Sequence, residues 1–433
     1  MPDLAISPLT RPPQGTVRVP GSKSLTNRAF ITAALAHGTS RLTNVLFAED
    51  TQVMIDALRS LGFVVRIEEA EATATVTGLG GHLPVDRADL FCGNSGTTIR
   101  FAAALCALGQ GRYRLDGVPR MRERPLGPLA DALEQLGAQV RYEAKDGFPP
   151  IEIITRGLGG GTVTFRSPPS SQLISAVLLA APCARSDVFI AVDGPLVSQP
   201  YVRMTLAVLD AFGVAVINEQ MQRFIVSAPQ SYRAREYAIE PDASNASYFL
   251  AAAAITGGTV TVEGLGTESV QGDARFVDCL EQMGCAITRA PSRLTVTGPR
   301  NGKRLQGIDV DLNDMPDMAQ TLAVVALFAE GTTRIRNVAN LRIKETDRLA
   351  ALATELVRLG AEVDEGEGEL AVTAPRRIVP SAIDTYDDHR MAMSFALVGL
   401  RVDGIVIKDA ECVAKTFPDY FTHLGRLGGE DSA

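Results

Sequence analysis

Pro128-Leu129-Ala130-Asp131-Ala132-Leu133-Glu134-Gln135-Leu136-Gly137-Ala138-Gln139-Val140-Arg141-Tyr142 reads as a helix, a stop and a strand. Leu129, Ala132, Leu133 and Leu136 recur at intervals of three and four, the one-sided apolar stripe of a helix lying between core and water. Gly137 is the residue type that closes a helix, and the next residues alternate as a strand does. An apolar residue and a glycine end a helix-like stretch at five more places: Leu61-Gly62, Phe212-Gly213, Met283-Gly284, Leu359-Gly360 and Leu424-Gly425. The six glycines stand 75, 76, 71, 76 and 65 residues apart, and five of them run on into an alternating segment. A period this long makes the chain one unit copied six times.

A second landmark keeps the same beat. Apolar helices are expected to start at Ser22, Asn94, Ser170, Asp242, Asp314 and Asp388, spaced 72, 76, 72, 72 and 74 residues, each on a preferred N-cap type. Stretches such as Phe249 to Ile255 are apolar nearly all round, so these helices should be buried. Ahead of them lie strand, turn, strand patterns over 73–90, 151–165, 224–239, 294–310 and 370–385. The glycine run Gly157 to Gly161 reads as a hairpin turn, because it lies between strands and opens no helix. The sixth copy meets the end of the sequence at Ala433; Leu4 to Pro8 and Thr16 to Pro20 supply the missing strands, so residues 1 to about 20 are expected to complete the last repeat. Six units exceed one ordinary core. Two α/β domains of three repeats are therefore expected, 21–237 and 1–20 plus 238–433.

With 46% hydrophobic and 21% charged residues, composition is that of a globular protein. Met1 to Pro8 shows no basic start before an apolar run, and no stretch reaches the length of a membrane helix, so a cytoplasmic protein is expected. Cys92, Cys106, Cys183, Cys279, Cys285 and Cys412 are scattered without a paired spacing and read as small buried hydrophobes. Four histidines without a ligand motif argue against a metal. A formal net charge of −8 argues against nucleic acid as partner.

Local charge differs from the total. Lys23 and Arg28, then Arg100, then Arg120, Arg122 and Arg124, then Lys344 and Arg348, Arg390, and Lys415 fall at equivalent places in the repeats. Superposed repeats would gather them at helix N-termini, which already carry about half a positive charge each. Cations there call for an anion.

Each segment alone has a plainer reading as a capped helix or a turn; together they carry a resemblance. Pro20-Gly21-Ser22-Lys23-Ser24 with Asn27-Arg28, Gly93-Asn94-Ser95-Gly96-Thr97, Arg122-Glu123-Arg124-Pro125-Leu126, Ser170-Ser171-Gln172, Pro316-Asp317, Lys344-Glu345-Thr346-Asp347-Arg348, Asp388-His389-Arg390-Met391-Ala392 and Lys415-Thr416-Phe417-Pro418-Asp419-Tyr420 occur in order along the whole chain. On these the chain resembles the 5-enolpyruvylshikimate-3-phosphate (EPSP) synthase family of enolpyruvyl transferases. The resemblance implies a two-domain inside-out α/β barrel of six βαβαββ repeats, helices inside and sheets outside. It also implies a 3-phosphoshikimate 1-carboxyvinyltransferase of the shikimate pathway, which supplies aromatic amino acid biosynthesis. Phosphoenolpyruvate would give its enolpyruvyl group to the 5-hydroxyl of shikimate 3-phosphate through a tetrahedral intermediate, without metal or organic cofactor.

By the same resemblance, Lys23, Ser24, Arg28, Ser170, Ser171, Gln172, Ser198, Tyr201, Asp317, Asn340 and Lys344 would hold shikimate 3-phosphate. Lys23, Asn94, Gly96, Arg124, Gln172, Arg348, Arg390 and Lys415 would meet phosphoenolpyruvate. Lys23, Asp317 and Glu345 are the expected catalytic groups: Asp317, as an anion at a helix start, to align or accept from the hydroxyl, Glu345 to move the proton at the methylene carbon, and Lys23 to stabilise developing charge. Like charges on two lobes are expected to hold a cleft open until substrate anions close it, in a monomer. Two alternatives stand beside this reading. The enolpyruvyl transferase acting on UDP-N-acetylglucosamine usually carries a reactive cysteine in the loop matching 116–126, where this chain has Arg124 and no cysteine. A noncatalytic repeat protein would explain the period but not the cations. Ser95 and Thr98 replace alanines and Phe101 stands where proline is common, so for the inhibitor glyphosate the room left by Gly96 and the bulk of Phe101 pull in opposite directions.

Overall fold

The computed structural model describes residues 3–300 and 302–427. By its contacts the chain divides into two compact units, Met1–Pro20 with Glu240–Ala433, and Gly21–Ile239. Each has a hydrophobic core of its own, one running from Leu25 to Ile239 and the other from Val19 through Ala243 to Leu424.

In the Gly21–Ile239 unit, helices Lys23–Leu35, Gly96–Cys106 and Ser171–Ala180 pack against one another and are buried on all sides. Helices Glu49–Ser60, Gly127–Gln135 and Gln199–Ala211 bury one stripe, as their one-sided patterns predict. Ala243–Thr256, Ala319–Ala326 and His389–Gly399 form the matching inner trio of the other unit. Leu61, Leu136, Phe212, Met283 and Leu359 end the outer helices fully buried, and the glycine after each has positive φ, from 81° to 102°, which glycine adopts without steric penalty.

Five four-stranded sheets repeat one connectivity: a leading strand runs parallel to a second, a third pairs antiparallel with the second, and a fourth pairs antiparallel with the third, while the sheet of the sixth repeat has three strands. In the Gly21–Ile239 unit the leading and second strands are Arg87–Phe91 with Gln110–Asp116, Gly161–Arg166 with Val188–Asp193, and Glu236–Ala238 with His37–Thr43. The last pairing brings the end of the unit back to its start. In the other unit, Gln14–Val17 leads Thr259–Glu263, Asp309–Asp311 leads Thr332–Arg336, and Ala382–Ile383 leads Ile405–Ile407. Its inner helices are covered by sheets of the same mixed α/β kind.

Four expectations need correcting. Residues 1–20 do not all complete the sixth repeat: Leu4–Ile6 pairs with Ile405–Ile407, but Gln14–Val17 joins the fourth repeat's sheet beside Thr259–Glu263. The Gly157 to Gly161 run is not a hairpin, since Ile151–Arg156 and Gly161–Arg166 lie in different sheets; the glycines, with φ of 90°, 100° and 120° at 157, 160 and 161, carry the chain from one sheet to the next. The second inner helix is capped by Ser95 rather than Asn94. Asp314 caps nothing; a turn of 3₁₀ helix, Pro316–Met318, leads into Ala319–Ala326 instead. The six cysteines form no disulfide: Cys92, Cys106, Cys279 and Cys285 are buried as expected, Cys183 and Cys412 are half-buried against the cores, and burial pushes the Cys92, Cys183, Cys279, Cys285 and Cys412 thiols up to about 12.

Candidate active site

In the Gly21–Ile239 unit the candidate residues gather at the N-terminal ends of the inner helices. Ser22 caps the first, its hydroxyl accepting from the Leu25 N–H, and Lys23 is the first helical residue. The Lys23 ammonium lies 3.5 Å from the Asp50 carboxylate, which is almost wholly buried. Ser95 caps the second helix, and its hydroxyl also donates to Thr98 Oγ1 at 2.8 Å, which accounts for both polar replacements in this turn. Gly96 opens that helix directly under two guanidinium groups: a Cβ there would stand 2.7 Å from Arg100 Nη1 and from Arg124 Cζ. Arg124 donates to the Asn94 carbonyl at 3.0 Å, while its buried Nε has no partner. Arg100 donates to the carbonyls of Gly96 and Pro125 and, at 2.7 Å, to Gln172 Oε1; Gln172 in turn donates to Thr97. Ser170 caps the third helix through the Gln172 N–H. Ser198, in the left-handed region at φ 57°, opens the helix that carries Tyr201.

Arg28 stands apart from this set. It is 1% exposed, it stacks over the Phe101 ring at 5.2 Å, and burial pulls its pKa down to about 10. Its donors go to Thr205, Ser175 and the carbonyls of Ser24 and Tyr201, so the protein's own acceptors occupy the fork. Arg120 and Arg122 are likewise engaged locally, Arg120 with Glu123 and Arg122 as a bidentate pair with Asp116. The reading of these two as unneutralised cations overlooked the acids beside them.

The other unit centres on Asp317. Lys344 Nζ lies 2.5 Å and Arg348 Nη1 3.1 Å from one carboxylate oxygen, and Arg390 Nη2 lies 3.0 Å from the other. Burial alone would raise the Asp317 pKa, but Arg390, Lys344 and Arg348 outweigh it and hold the carboxyl well below its ordinary value. Burial lowers the Lys344 ammonium, with Asp317 opposing. Arg348, 1% exposed, also grips Asp388 with Nε at 2.6 Å and Nη2 at 3.1 Å, and Glu345 with Nη2 at 2.9 Å. Asp388 caps the His389–Gly399 helix by accepting from the Arg390 N–H, and Arg390 reaches the Tyr248 hydroxyl at 3.3 Å. Lys415 closes a 3₁₀ turn and is buried; Asn340 lies in the turn before Lys344.

Three carboxylates, Asp317, Glu345 and Asp388, thus match three cations, Lys344, Arg348 and Arg390, with Lys415 in addition. The expectation of an uncompensated ring of positive charge does not hold for this unit, because its own acids already serve as the anions. The sequence marks Arg100 as one of the cations but not as the partner of Gln172, and it does not mark Asp50, Tyr248 or the positioning role of Asp388. The available signals were Asp50 in an otherwise apolar helix face and Arg100 inside a buried helix, where a charge needs a partner. Among the described residues no group of histidine, cysteine and carboxylate side chains could hold a metal, and no helix is long and apolar enough to cross a membrane.

A sequence profile for EPSP synthase (3-phosphoshikimate 1-carboxyvinyltransferase) matches residues 10–424. The chain is 50% identical over 427 residues to the 3-phosphoshikimate 1-carboxyvinyltransferase of Nostoc punctiforme, covering 99% of each. Identity to that of Vibrio cholerae is also 50%, over 416 residues, covering 95% of this chain and 96% of the relative. Among solved structures, EPSP synthase from Acinetobacter baumannii superposes with a TM-score of 0.80 at 28% identity, covering 98% of both chains. The enolpyruvyl transferase NikO from Streptomyces tendae shares the fold at 20% identity, with a TM-score of 0.79 over 98% of this chain and 97% of that one. With a profile match spanning nearly all of its length and relatives at half identity, the chain belongs to the EPSP synthase family.

Proposed function

We propose that the protein transfers the enolpyruvyl group of phosphoenolpyruvate to the 5-hydroxyl of shikimate 3-phosphate, releasing phosphate. The observation that carries the reading is the full-length identity to two proteins of that name. The two helix-end clusters support it, since both substrates bring a phosphate and a carboxylate, the anions that guanidinium and ammonium groups recognise.

Within this reading, Lys23, Ser24, Ser170, Ser171, Gln172, Ser198, Tyr201, Asp317, Asn340 and Lys344 take shikimate 3-phosphate, and Arg28 holds the shape of that region from beneath. Phosphoenolpyruvate is assigned to Lys23, Asn94, Gly96, Arg124, Gln172, Arg348, Arg390 and Lys415. In the first step the 5-hydroxyl of shikimate 3-phosphate loses its proton and bonds to C2 of phosphoenolpyruvate while a proton reaches C3, giving a methyl group and a tetrahedral ketal phosphate. In the second the C–O bond to phosphate breaks and the methyl group returns a proton.

Asp317, with its pKa pressed down by three cations, is a weak base. It suits the role of accepting and aligning the hydroxyl better than that of keeping its proton. Glu345 is our choice for proton transfer at C3. Its pairing with Arg348 favours the carboxylate, and a substrate dianion arriving beside Arg348 and Arg390 would offset that and raise its proton affinity. Lys23 would stabilise the charge of the departing phosphate. We further read the protein as a monomer of the cytoplasm.

The test is phosphate release. Purified protein should release phosphate from phosphoenolpyruvate only when shikimate 3-phosphate is present, and not with UDP-N-acetylglucosamine in its place. Release with the nucleotide sugar alone, or with neither acceptor, overturns the assignment.

A further inference from the structure

The unit built on Glu240–Ala433 carries a second concentration of positive charge, at the end of its inner helices away from Asp317. There the chain leaves the three helices through Thr256-Gly257, Leu327-Phe328-Ala329 and Arg401-Val402, and these segments line an open pocket of about 790 Å³. Lys303, Arg304, Arg376, Arg377 and Arg401 line it too, with no aspartate or glutamate among the lining residues.

Cations near helix C-termini have an ordinary role, since each terminus carries about half a negative charge. Three termini amount to roughly one and a half charges, against five cations. Only Arg401 is used in the ordinary way, donating to the Ile255 carbonyl while it stacks over Phe328 at 5.4 Å. Arg304 has an exposed partner, Glu330, at 3.6 Å, a contact worth little in water. No described carboxylate pairs with Lys303, Arg376 or Arg377. About three positive charges are therefore in surplus around a concave space large enough for a small molecule.

We propose that this pocket binds a compact polyanion, specifically a chain of two or three phosphates. Arg376 and Arg377 stand together in the bend after Pro375 and line the same pocket as Lys303 and Arg304, so one polyanion has several donors from two segments of the chain. Guanidinium forks match phosphate oxygens in pairs. The chemistry is shared by free polyphosphate and the phosphate tail of a nucleotide. This site is independent of the reaction proposed above and would stand if that reading fell.

Titration calorimetry with inorganic tripolyphosphate tests it, using the intact protein, the Arg376→Ala/Arg377→Ala variant, and Arg124→Ala as a control for the helix-start cluster. Binding should weaken at least tenfold in the double variant, persist in Arg124→Ala, and decline steeply between 50 and 200 mM salt. ATP tested alongside separates the sources: equal affinity assigns the phosphate chain alone, and tighter binding assigns a nucleotide. Because Arg376 and Arg377 are exposed, the variant should keep the parent's melting temperature and turnover. No binding to the parent, or binding lost in Arg124→Ala and kept in the double variant, overturns the proposal.

Discussion

Replacing Gly96 by alanine puts a number on how tightly the first helix-start cluster is built. The new Cβ would stand 2.7 Å from Arg100 Nη1 and from Arg124 Cζ, whereas an ordinary carbon contact needs about 3.5 Å. Arg100 must withdraw by roughly 0.8 Å to restore that spacing, and Arg124, whose Nη2 would lie closer still, by more. Neither is free to swing: Arg100 is held by Gln172 at 2.7 Å and Pro125 at 3.1 Å, and Arg124 by Asn94 at 3.0 Å. One charge-assisted hydrogen bond should be lost, about 1.5–3 kcal/mol. If Arg124 and Gln172 meet phosphoenolpyruvate, kcat/KM for that substrate falls roughly 10- to 150-fold, at about 1.4 kcal/mol per tenfold. The KM for shikimate 3-phosphate should move much less. Alanine's better helix propensity returns at most about 1 kcal/mol of that loss, so the melting temperature should fall by only a few degrees. Initial rates with each substrate varied in turn decide the matter. An unchanged kcat/KM for phosphoenolpyruvate in a folded Gly96→Ala protein would show that Arg124 does not touch that substrate.

Asp317→Asn removes the negative charge shared by Lys344, Arg348 and Arg390 and one of its two acceptor oxygens; kcat should fall by about 10²–10⁴, and a loss under tenfold would take Asp317 out of the chemistry. Asp388→Asn keeps the helix cap but removes the buried charge that grips Arg348, at about 3 kcal/mol, or roughly 6–12 °C in the melting temperature of a unit this size; Asp388→Ala should cost about 1 kcal/mol more through the lost cap. Equal melting temperatures for Asp388→Asn and the parent would mean that the pair is not a structural anchor. Burial, with Arg426 adding to it, lowers the pKa of His423, so the folded chain binds that proton less readily than the unfolded one. Its contribution is present above the unfolded pKa of about 6.5 and is lost as pH falls through the folded value; melting temperatures between pH 7 and 5 should therefore decline less in His423→Phe than in the parent.

The repeat was legible because burial leaves a periodic mark. Leu136 and Leu359 are buried and the next residue needs positive φ, so an apolar residue followed by glycine recurs wherever an outer helix ends. What escaped was the pairing of strands distant in sequence. Nothing in Gln14–Val17 says that its partner is Thr259–Glu263 rather than a strand of the sixth repeat, because register and partner are decided by edges available in three dimensions. The glycine run at 157–161 was misread for the same reason, since flanking strands and a turn are common to a hairpin and to a crossing between sheets. In the candidate site, the residues at helix starts were legible through their cap neighbours, and Arg348, Arg390 and Asp317 do come together. Of the partners that tune them, Asp50 leaves one mark, an acid on an apolar helix face, and Tyr248 leaves none, because its helix is apolar nearly all round.

Charge pairing also changes how ligand recognition should be understood. Had the cations stood unpaired, anions would bind by simple neutralisation, and mutual repulsion would govern the empty protein. Around Asp317 the positive groups instead share buried acids in a nearly balanced set. A phosphate or carboxylate entering there must compete with Asp317 and Glu345 for the same donors. What it gains is the difference between two sets of charge-assisted bonds rather than a full set. Such exchange keeps Arg348 and Arg390 oriented before substrate arrives, so little ordering entropy is lost on binding. It also links binding to proton chemistry, because each donor drawn toward substrate is drawn from a carboxylate whose proton affinity then rises. Arg348, held by Asp388 on its far side, is the group through which that exchange would act on Glu345. Arg348→Lys, with no fork to span Asp388, Asp317 and Glu345 at once, should therefore shift the pH profile of kcat as well as lower its height; a lower plateau with an unmoved profile would refute the coupling.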